Sequence, residues 1–231
     1  MSPRRHALVV QHAPTGPPAL LGAWLEERGI PWELCDTSTG APLPGLEGVR
    51  FVASLGAAAS AADTHLPAVA AETALVEHAV ADDVPVLGLC FGGQLLARVL
   101  GGTVEPMDAP EVGWVSIETD DPALVPAGPW LAWHYDRYTV PPAATEIART
   151  EHSSHAFVRG SHLGVQFHPE STQEHVRVWA AKDAERLASF GITDGLQRLE
   201  APSTTEQAAR AAAFALFDAF LSRIPDPVPT S

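Results

Sequence analysis

Uninterrupted apolar runs alternate with helix-like stretches along the first part of the chain. The run HALVVQ (6–11) predicts a buried strand, and the apolar spacing of PPALLGAWLEERG (17–29) predicts a helix that ends at Gly29. Further strands are predicted at 31–37, 49–56 and 84–90, and a second helix over 66–80. Because each crossover helix must pack back on the sheet, this order indicates a parallel sheet covered on both faces.

The pattern changes after a glycine-capped helix at 92–102. Short strands then follow closely: TVEP, GWVSIET, WLAWHYD, ATEIART, HAFVRG and HLGVQFHPE. They predict a small antiparallel extension and a return to the main sheet, and helices are expected again over 171–191 and 204–224. We therefore expect a three-layer α/β fold in one domain over residues 1–231. The helices at about 171–223 should pack on it, and a flexible tail should cover 224–231.

Composition and charge narrow the function classes. The chain has 231 residues and a net charge of −14, with no Lys/Arg-rich run, which argues against nucleic-acid binding through phosphates. The N-terminal apolar run is too short for a secretory signal or a membrane span, so no membrane partner is expected. Two cysteines make no disulfide framework, and a reducing cytoplasm is the expected compartment.

Cys90 stands between glycines where a predicted strand meets a predicted helix. The sequence Gly88-Leu89-Cys90-Phe91-Gly92 has the Gly-x-nucleophile-x-Gly form of a nucleophile elbow, in which a strained turn exposes the central side chain. The start of the next helix would stabilise a thiolate, and the Phe91 amide could donate to an oxyanion. The alternative is a small buried apolar residue, which is the interpretation we favour for Cys35.

A cysteine nucleophile needs a base, and the end of GVQFHPE supplies one. His168 and Glu170 flank Pro169 at the end of an apolar run, where residues i and i+2 point to the same side of a strand. Glu170 could therefore accept a hydrogen bond from the His168 imidazole and fix its tautomer. A lone histidine would be read as a surface or turn residue, but together with Cys90 this pair predicts a catalytic base.

The segments PVLGLCFGGQLLARVLGG and GVQFHPE together resemble the class I (triad) glutamine amidotransferases. The resemblance extends over most of the chain and is nearest to stand-alone members akin to the amidotransferase domain of GMP synthetase. It implies a flavodoxin-like fold with Cys90 as the nucleophile, His168 as the general base and acid, and Glu170 as the residue that orients His168.

The same resemblance implies further site residues. Gln94 would hold the amino-acid end of the substrate, and the Tyr135–Asp136 backbone would contact that end.

Gly56 matches the first position of the family's Gly-Gly-Pro loop, whose backbone amide completes the oxyanion hole. Here that loop continues with Ala57 and Ala58. Ala57 still offers an N–H. If the second glycine of the family's loop needs a positive φ, however, the sequence does not establish that alanine can adopt the same loop conformation. A second departure is His155, where relatives often carry Gln, and no role is assigned to it.

The implied reaction is hydrolysis of the side-chain amide of glutamine, or of another γ-glutamyl amide, through a thioester on Cys90. The released ammonia would either pass to a synthetase on another chain or be a product in its own right. No cofactor is implied, and the histidines at 152, 155, 162 and 168 match no compact zinc pattern. The alternative from another class is a non-catalytic or regulatory protein that binds γ-glutamyl ligands.

Overall fold

The computed structural model describes residues 6–194, 199–200 and 202–224. The strands are β1 (His6–Gln11), β2 (Trp32–Asp36), β3 (Val49–Ser54), β4 (Val86–Leu89), β5 (Val104–Val115), β6 (Glu118–Thr119), β7 (Trp130–Tyr138), β8 (Thr145–Arg149), β9 (Ser154–Arg159) and β10 (His162–Val165). The helices are α1 (Ala19–Glu27), α2 (Pro67–Ala81), α3 (Phe91–Val99), α4 (Gln173–Lys182), α5 (Ala184–Ser189) and α6 (Ser203–Ser222).

An eight-stranded sheet runs through the centre in the order β2-β1-β3-β4-β10-β9-β8-β6. The first five strands are parallel, and the other three extend the sheet in antiparallel pairing. A separate antiparallel pair is formed by β5 and β7. The predicted fold, a mostly parallel flavodoxin-like sheet with a small antiparallel part, is confirmed.

Apolar side chains cover both faces of the sheet, as uninterrupted apolar strands require. On one face, Trp24 of α1 and Phe217 of α6 pack over the sheet in a cluster that also contains Phe51. On the other face, Val76 of α2 and Leu95 of α3 belong to a second cluster. A third cluster joins β7 to α4 and α5. Within the described residues, no helix is both long and apolar enough to span a membrane.

Several predicted boundaries are wrong. The segments TVEP and GWV belong to one strand, β5, which is interrupted by a register shift between Pro106 and Glu111. The single helix expected over 171–191 is two, because the chain turns at Asp183 between α4 and α5. Ile224, placed in the flexible tail, is buried in the first apolar cluster. The rest of that tail, 225–231, lies outside the described residues.

The carboxyl ends of the central parallel strands meet at one edge of the sheet. His12 follows β1, Gly56 lies two residues after β3, Cys90 follows β4 and His168 lies three residues after β10. In open α/β sheets ligands bind at this edge. The topology therefore gathers residues that are far apart in the sequence.

Candidate active site

Cys90 occupies the turn between β4 and α3 with φ of 51° and ψ of −106°. A left-handed φ in a residue other than glycine costs about 1–3 kcal/mol and is held only by its surroundings. Here the surroundings are glycines, because a Cβ on Gly88 would clash with the backbone of Gly92, and a Cβ on Gly92 would clash with the backbone of Ser54. The chain thus has the elbow geometry that the glycine pattern predicts.

The thiol of Cys90 is buried, with 6% of the residue exposed. Its sulfur lies 3.7 Å from the Trp133 carbonyl oxygen and 3.9 Å from Nε2 of Gln166, which donates to it. The backbone N–H of Cys90 donates to the Val165 carbonyl at 2.9 Å. These contacts fix the turn against β10 and hold the sulfur at the floor of a cavity.

His168 and Glu170 form a buried pair beside Cys90. Nδ1 of His168 lies 2.8 Å from Oε1 of Glu170, and the backbone N–H of His168 donates to the Leu131 carbonyl at 2.8 Å. The pair meets for a different reason from the predicted one, because β10 ends at Val165 and both residues lie in the turn that follows. The ring of Trp179 packs edge-on against the imidazole at 4.9 Å.

Opposing effects set the charge of His168. Burial lowers its pKa, but the charges of Cys90 and Glu170 and the hydrogen bonds to both outweigh burial and hold the pKa well above its usual value. The imidazolium form of His168 is therefore favoured in this position between Cys90 and Glu170. The arrangement suits a thiolate nucleophile with a proton donor beside it.

The loop after β3 lies against this pair. A Cβ on Gly56 would come within 2.6 Å of Cε1 of His168, so only glycine fits there. Neither Ala57 nor Ala58 has a positive φ, so the conformation of the loop suits alanine. The sequence left open whether alanine could adopt the φ that this loop needs, and in the structure neither alanine needs a positive φ.

Gln94 is buried one turn into α3, with only 4% exposed. Its Nε2 donates to the Asp136 carbonyl at 3.0 Å and to Oε1 of Gln166 at 3.3 Å. The carboxylate of Asp136 accepts from Oγ of Ser60 at 2.5 Å. The structure thus joins Gln94 to the Tyr135–Asp136 segment, as a shared binding surface would require.

Every site residue that the sequence predicts lines one cavity of about 510 Å³. The catalytic, oxyanion and substrate-binding candidates there are Cys90, His168, Glu170, Phe91, Gly56, Ala57, Gln94, Tyr135 and Asp136. Other lining residues were missed, including His12, Trp179, Lys182, Asp183 and Arg186. His12 directly follows the apolar run of β1. Its position at the carboxyl end of a predicted parallel strand, where ligands bind, is the sequence feature that could have identified it as a cavity residue.

Helices α4 and α5 close one side of the cavity through Asp183. Its Oδ2 accepts from the Tyr135 hydroxyl at 2.6 Å and from Nε1 of Trp133 at 3.2 Å. The guanidinium of Arg186 stacks over the Tyr135 ring at 3.5 Å. Burial, followed by the neighbouring Asp183, raises the pKa of Tyr135, so its hydroxyl stays a donor at neutral pH.

A buried polar cluster braces β5 against β7 and β9 next to the cavity. Oε2 of Glu111 lies 3.1 Å from Nε2 of both His134 and His155, and the carboxylate also accepts from Thr150 and Ser153. Burial raises the pKa of Glu111, but these hydrogen bonds lower it overall. His155, which had no assigned role, is thus a partner of Glu111. The carboxylate and the two imidazoles are also groups of the kind that coordinate transition metals, and the atoms that could act as ligands lie within 4.8 Å of one another.

Known proteins share the sequence around this cavity. The family model described as "Glutamine amidotransferase class-I" matches residues 62–178. The GMP synthase (glutamine-hydrolyzing) of Aeropyrum pernix is 41% identical over 95 residues, which are 37% of this chain and 18% of that protein. One subunit of the GMP synthase of Ignicoccus hospitalis is 38% identical over 97 residues, covering 37% of this chain and 50% of that protein. The chain thus spans at most about half the length of these curated relatives.

Solved structures match over nearly the whole chain. A glutamine amido transferase from Methylobacillus flagellatus has a TM-score of 0.85 at 26% identity and covers 98% of both chains. A glutamine amidotransferase from Thermotoga maritima has a TM-score of 0.82 at 25% identity, covering 94% of this chain and 98% of its own.

The fold and the site define an α/β protein with a cysteine on a strand-to-helix elbow at the ligand-binding edge of its sheet. The family match covers just over half of the chain and includes that cysteine. The chain belongs to the class I glutamine amidotransferase family.

Proposed function

We propose that this protein hydrolyses the side-chain amide of glutamine through a γ-glutamyl thioester on Cys90. The observation that carries the proposal is the meeting of Cys90, on its strained elbow, with the His168–Glu170 pair in one cavity. A buried thiol, an imidazole and an orienting carboxylate form the arrangement that covalent acyl transfer uses.

In the proposed reaction, the Cys90 thiolate attacks the amide carbon of glutamine. Backbone N–H groups of Phe91 and of the Gly56–Ala57 segment hold the oxyanion, and His168 gives its proton to the departing nitrogen. Ammonia leaves and a γ-glutamyl thioester remains on Cys90. His168 then removes a proton from water, which attacks the thioester and releases glutamate.

Gln94 and the Tyr135–Asp136 backbone hold the amino-acid end of glutamine in this proposal. The buried contact of Gln94 with the Asp136 carbonyl supports it, since both groups line the cavity that contains Cys90. The Ignicoccus hospitalis relative supplies a precedent for the fate of the ammonia, because its name describes one part of a glutamine-hydrolysing synthase. We therefore propose a separate synthetase chain as the acceptor.

A second candidate substrate is a γ-glutamyl amide whose nitrogen carries an acidic group. A cavity of about 510 Å³ is within the range that holds drug-sized ligands and leaves room beyond glutamine. Lys182, the only lysine of this acidic chain, lines that cavity one helical turn after Trp179, which packs on His168. In this candidate Lys182 is assigned to the side of the leaving nitrogen, because Trp179 packs on His168, the proposed proton donor to that nitrogen.

The test compares glutamate release from glutamine and from γ-glutamyl-glycine by the wild-type protein. Hydrolysis of glutamine supports the first function, and a preference for γ-glutamyl-glycine supports the second. A protein that binds both without releasing glutamate, and whose Cys90 resists a chloroketone analogue of glutamine, would instead be a non-catalytic γ-glutamyl-binding protein.

A further inference from the structure

His12 lines the same cavity but has no part in the proposed triad. Its Nδ1 lies 3.0 Å from the Gly56 carbonyl oxygen, and its Nε2 lies 2.5 Å from Oε2 of Glu72. A carbonyl and a carboxylate only accept hydrogen bonds, so both ring nitrogens carry protons. The His12 ring is therefore an imidazolium that joins α2 to the loop after β3.

Glu72 holds this imidazolium in place. The residue is 1% exposed, and its other oxygen accepts from Oγ of Ser54 at 2.6 Å. Burial lowers the pKa of His12, but the charge and hydrogen bond of Glu72, the hydrogen bond to Gly56 and the charge of Asp36 together raise it. A buried ion pair is retained only with close geometry and further hydrogen bonds, and both are present here. The ring of Phe91 packs edge-on against His12 at 4.8 Å.

The contact with Gly56 fixes the direction of one peptide plane. In a trans peptide the C=O of one residue and the N–H of the next point in opposite directions. Because His12 holds the Gly56 carbonyl, the Ala57 N–H is held on the opposite side of the same plane. A Cβ on Gly56 would clash with the His168 ring, so this plane lies beside the reacting groups.

We propose that His12, oriented by Glu72, is a positioning residue that aims the Ala57 N–H at the oxyanion formed during amide hydrolysis. This inference rests on the proposed function. It also accounts for a loop that carries Ala57 and Ala58 where the family usually has Gly and Pro. The loop is held by a side chain from the end of β1 rather than by its own sequence.

Two variants separate the contacts of His12. His12→Asn keeps a donor N–H near the position of Nδ1 and can still hold the Gly56 carbonyl. His12→Gln places its amide near the position of Nε2 and keeps only the contact with Glu72. The double variant His12→Asn/Glu72→Gln removes the buried charge that Asn would leave unpaired, and thermal unfolding followed by circular dichroism verifies folding.

We expect His12→Gln to lower kcat for glutamine roughly 10- to 100-fold with little change in KM, below the loss of roughly 10²–10³ for removing an oxyanion donor outright. His12→Asn, alone or with Glu72→Gln, should recover much of that loss. Binding of the aldehyde analogue of glutamine should weaken in parallel with kcat. Its Cys90 adduct is a thiohemiacetal, formed by adding the S–H across the C=O, and its oxygen occupies the hole.

Alkylation of Cys90 by iodoacetamide supplies the control, since this displacement forms no oxyanion. Its rate should be the same in the wild type and in His12→Gln. Wild-type kcat in a folded His12→Gln protein would overturn the inference, as would a loss of alkylation that matches the loss of kcat. A wild-type protein that is inactive on glutamine would instead overturn the proposed function.

Discussion

Gly56 lies directly against the imidazole of His168, where a Cβ would come within 2.6 Å of Cε1. The imidazole ring cannot move away from an added Cβ without cost, because it is buried and its Nδ1 is hydrogen-bonded to Glu170. We therefore expect Gly56→Ala to displace the ring or the loop. Displacements near 1 Å cost on the order of 10²-fold in rate, and we expect a loss of that size in glutamine hydrolysis.

The matched control is Gly45→Ala. Gly45 is exposed, a Cβ there would have nothing within 4 Å, and its φ is not positive. This variant should hydrolyse glutamine at the wild-type rate. Equal activities of the two variants would contradict the tight contact between Gly56 and His168.

Glu170→Gln tests the orientation of His168. The amide can present an N–H to Nδ1, which would favour the wrong tautomer, and it removes a charge that supports the imidazolium. We expect kcat to fall on the order of 10²–10⁴-fold while the protein stays folded. Glu174→Gln, an exposed change in the first turn of α4, should leave kcat unchanged.

The raised pKa of His168 predicts a dependence of stability on pH. A group whose pKa is higher in the folded state stabilises the fold below its unfolded pKa of about 6.5, and this stabilisation is lost as pH rises through the folded value. Glu170→Gln removes one of the partners that raise the pKa, so it should lower the His168 pKa. NMR titration of Cε1–H of His168 measures the shift directly.

Urea unfolding at several pH values above 6.5 gives an independent measurement of the same effect. The wild type should lose more free energy of unfolding with rising pH than Glu170→Gln does. Identical pH profiles and identical titrations of His168 would show that Glu170 does not support the imidazolium.

Lys182 tests the second candidate substrate. If this lysine contacts an acidic group on the leaving nitrogen, Lys182→Met should lower kcat/KM for γ-glutamyl-glycine roughly tenfold, the effect of losing one charged hydrogen bond of about 1.5 kcal/mol. The value for glutamine and for γ-glutamyl-glycinamide should stay the same. A parallel loss on all three substrates would place Lys182 at the common glutamyl end instead.

Because Lys182 is the chain's only lysine, acylation of lysine side chains can modify this one position. Peptide mapping separates it from the N-terminal amine. Saturating γ-glutamyl-glycine should protect Lys182 in the Cys90→Ala protein, which cannot turn the ligand over. Labelling at an unchanged rate would argue against the contact.

The sequence predicts those features of the fold that depend on local pattern. The apolar run 6–11 matches β1 residue for residue, because a strand buried on both faces leaves no polar position inside it. The division of 171–191 into α4 and α5 was not predicted, since its cause is tertiary. Asp183 turns away to accept from Trp133 and Tyr135 on β7.

The candidate site likewise contains residues that a local sequence motif identifies and residues that only the folded structure brings together. Cys90 and its glycines carry their geometry in adjacent residues, so a short motif is enough to find them. His12 and Glu72 are 60 residues apart and meet only through the topology of β1, β3 and α2. His155 likewise contacts Glu111, which lies on a strand of the other sheet, so local sequence does not reveal this pair.

The central claim is that Cys90 forms a γ-glutamyl thioester, and rapid acid quench followed by mass spectrometry of the intact protein and of its peptides tests it most directly. Wild-type protein mixed with glutamine should gain the mass of one γ-glutamyl group on the peptide that contains Cys90. Cys90→Ala should gain none and release no glutamate, with its circular dichroism unchanged. Glutamate release by Cys90→Ala at the wild-type rate would contradict the account.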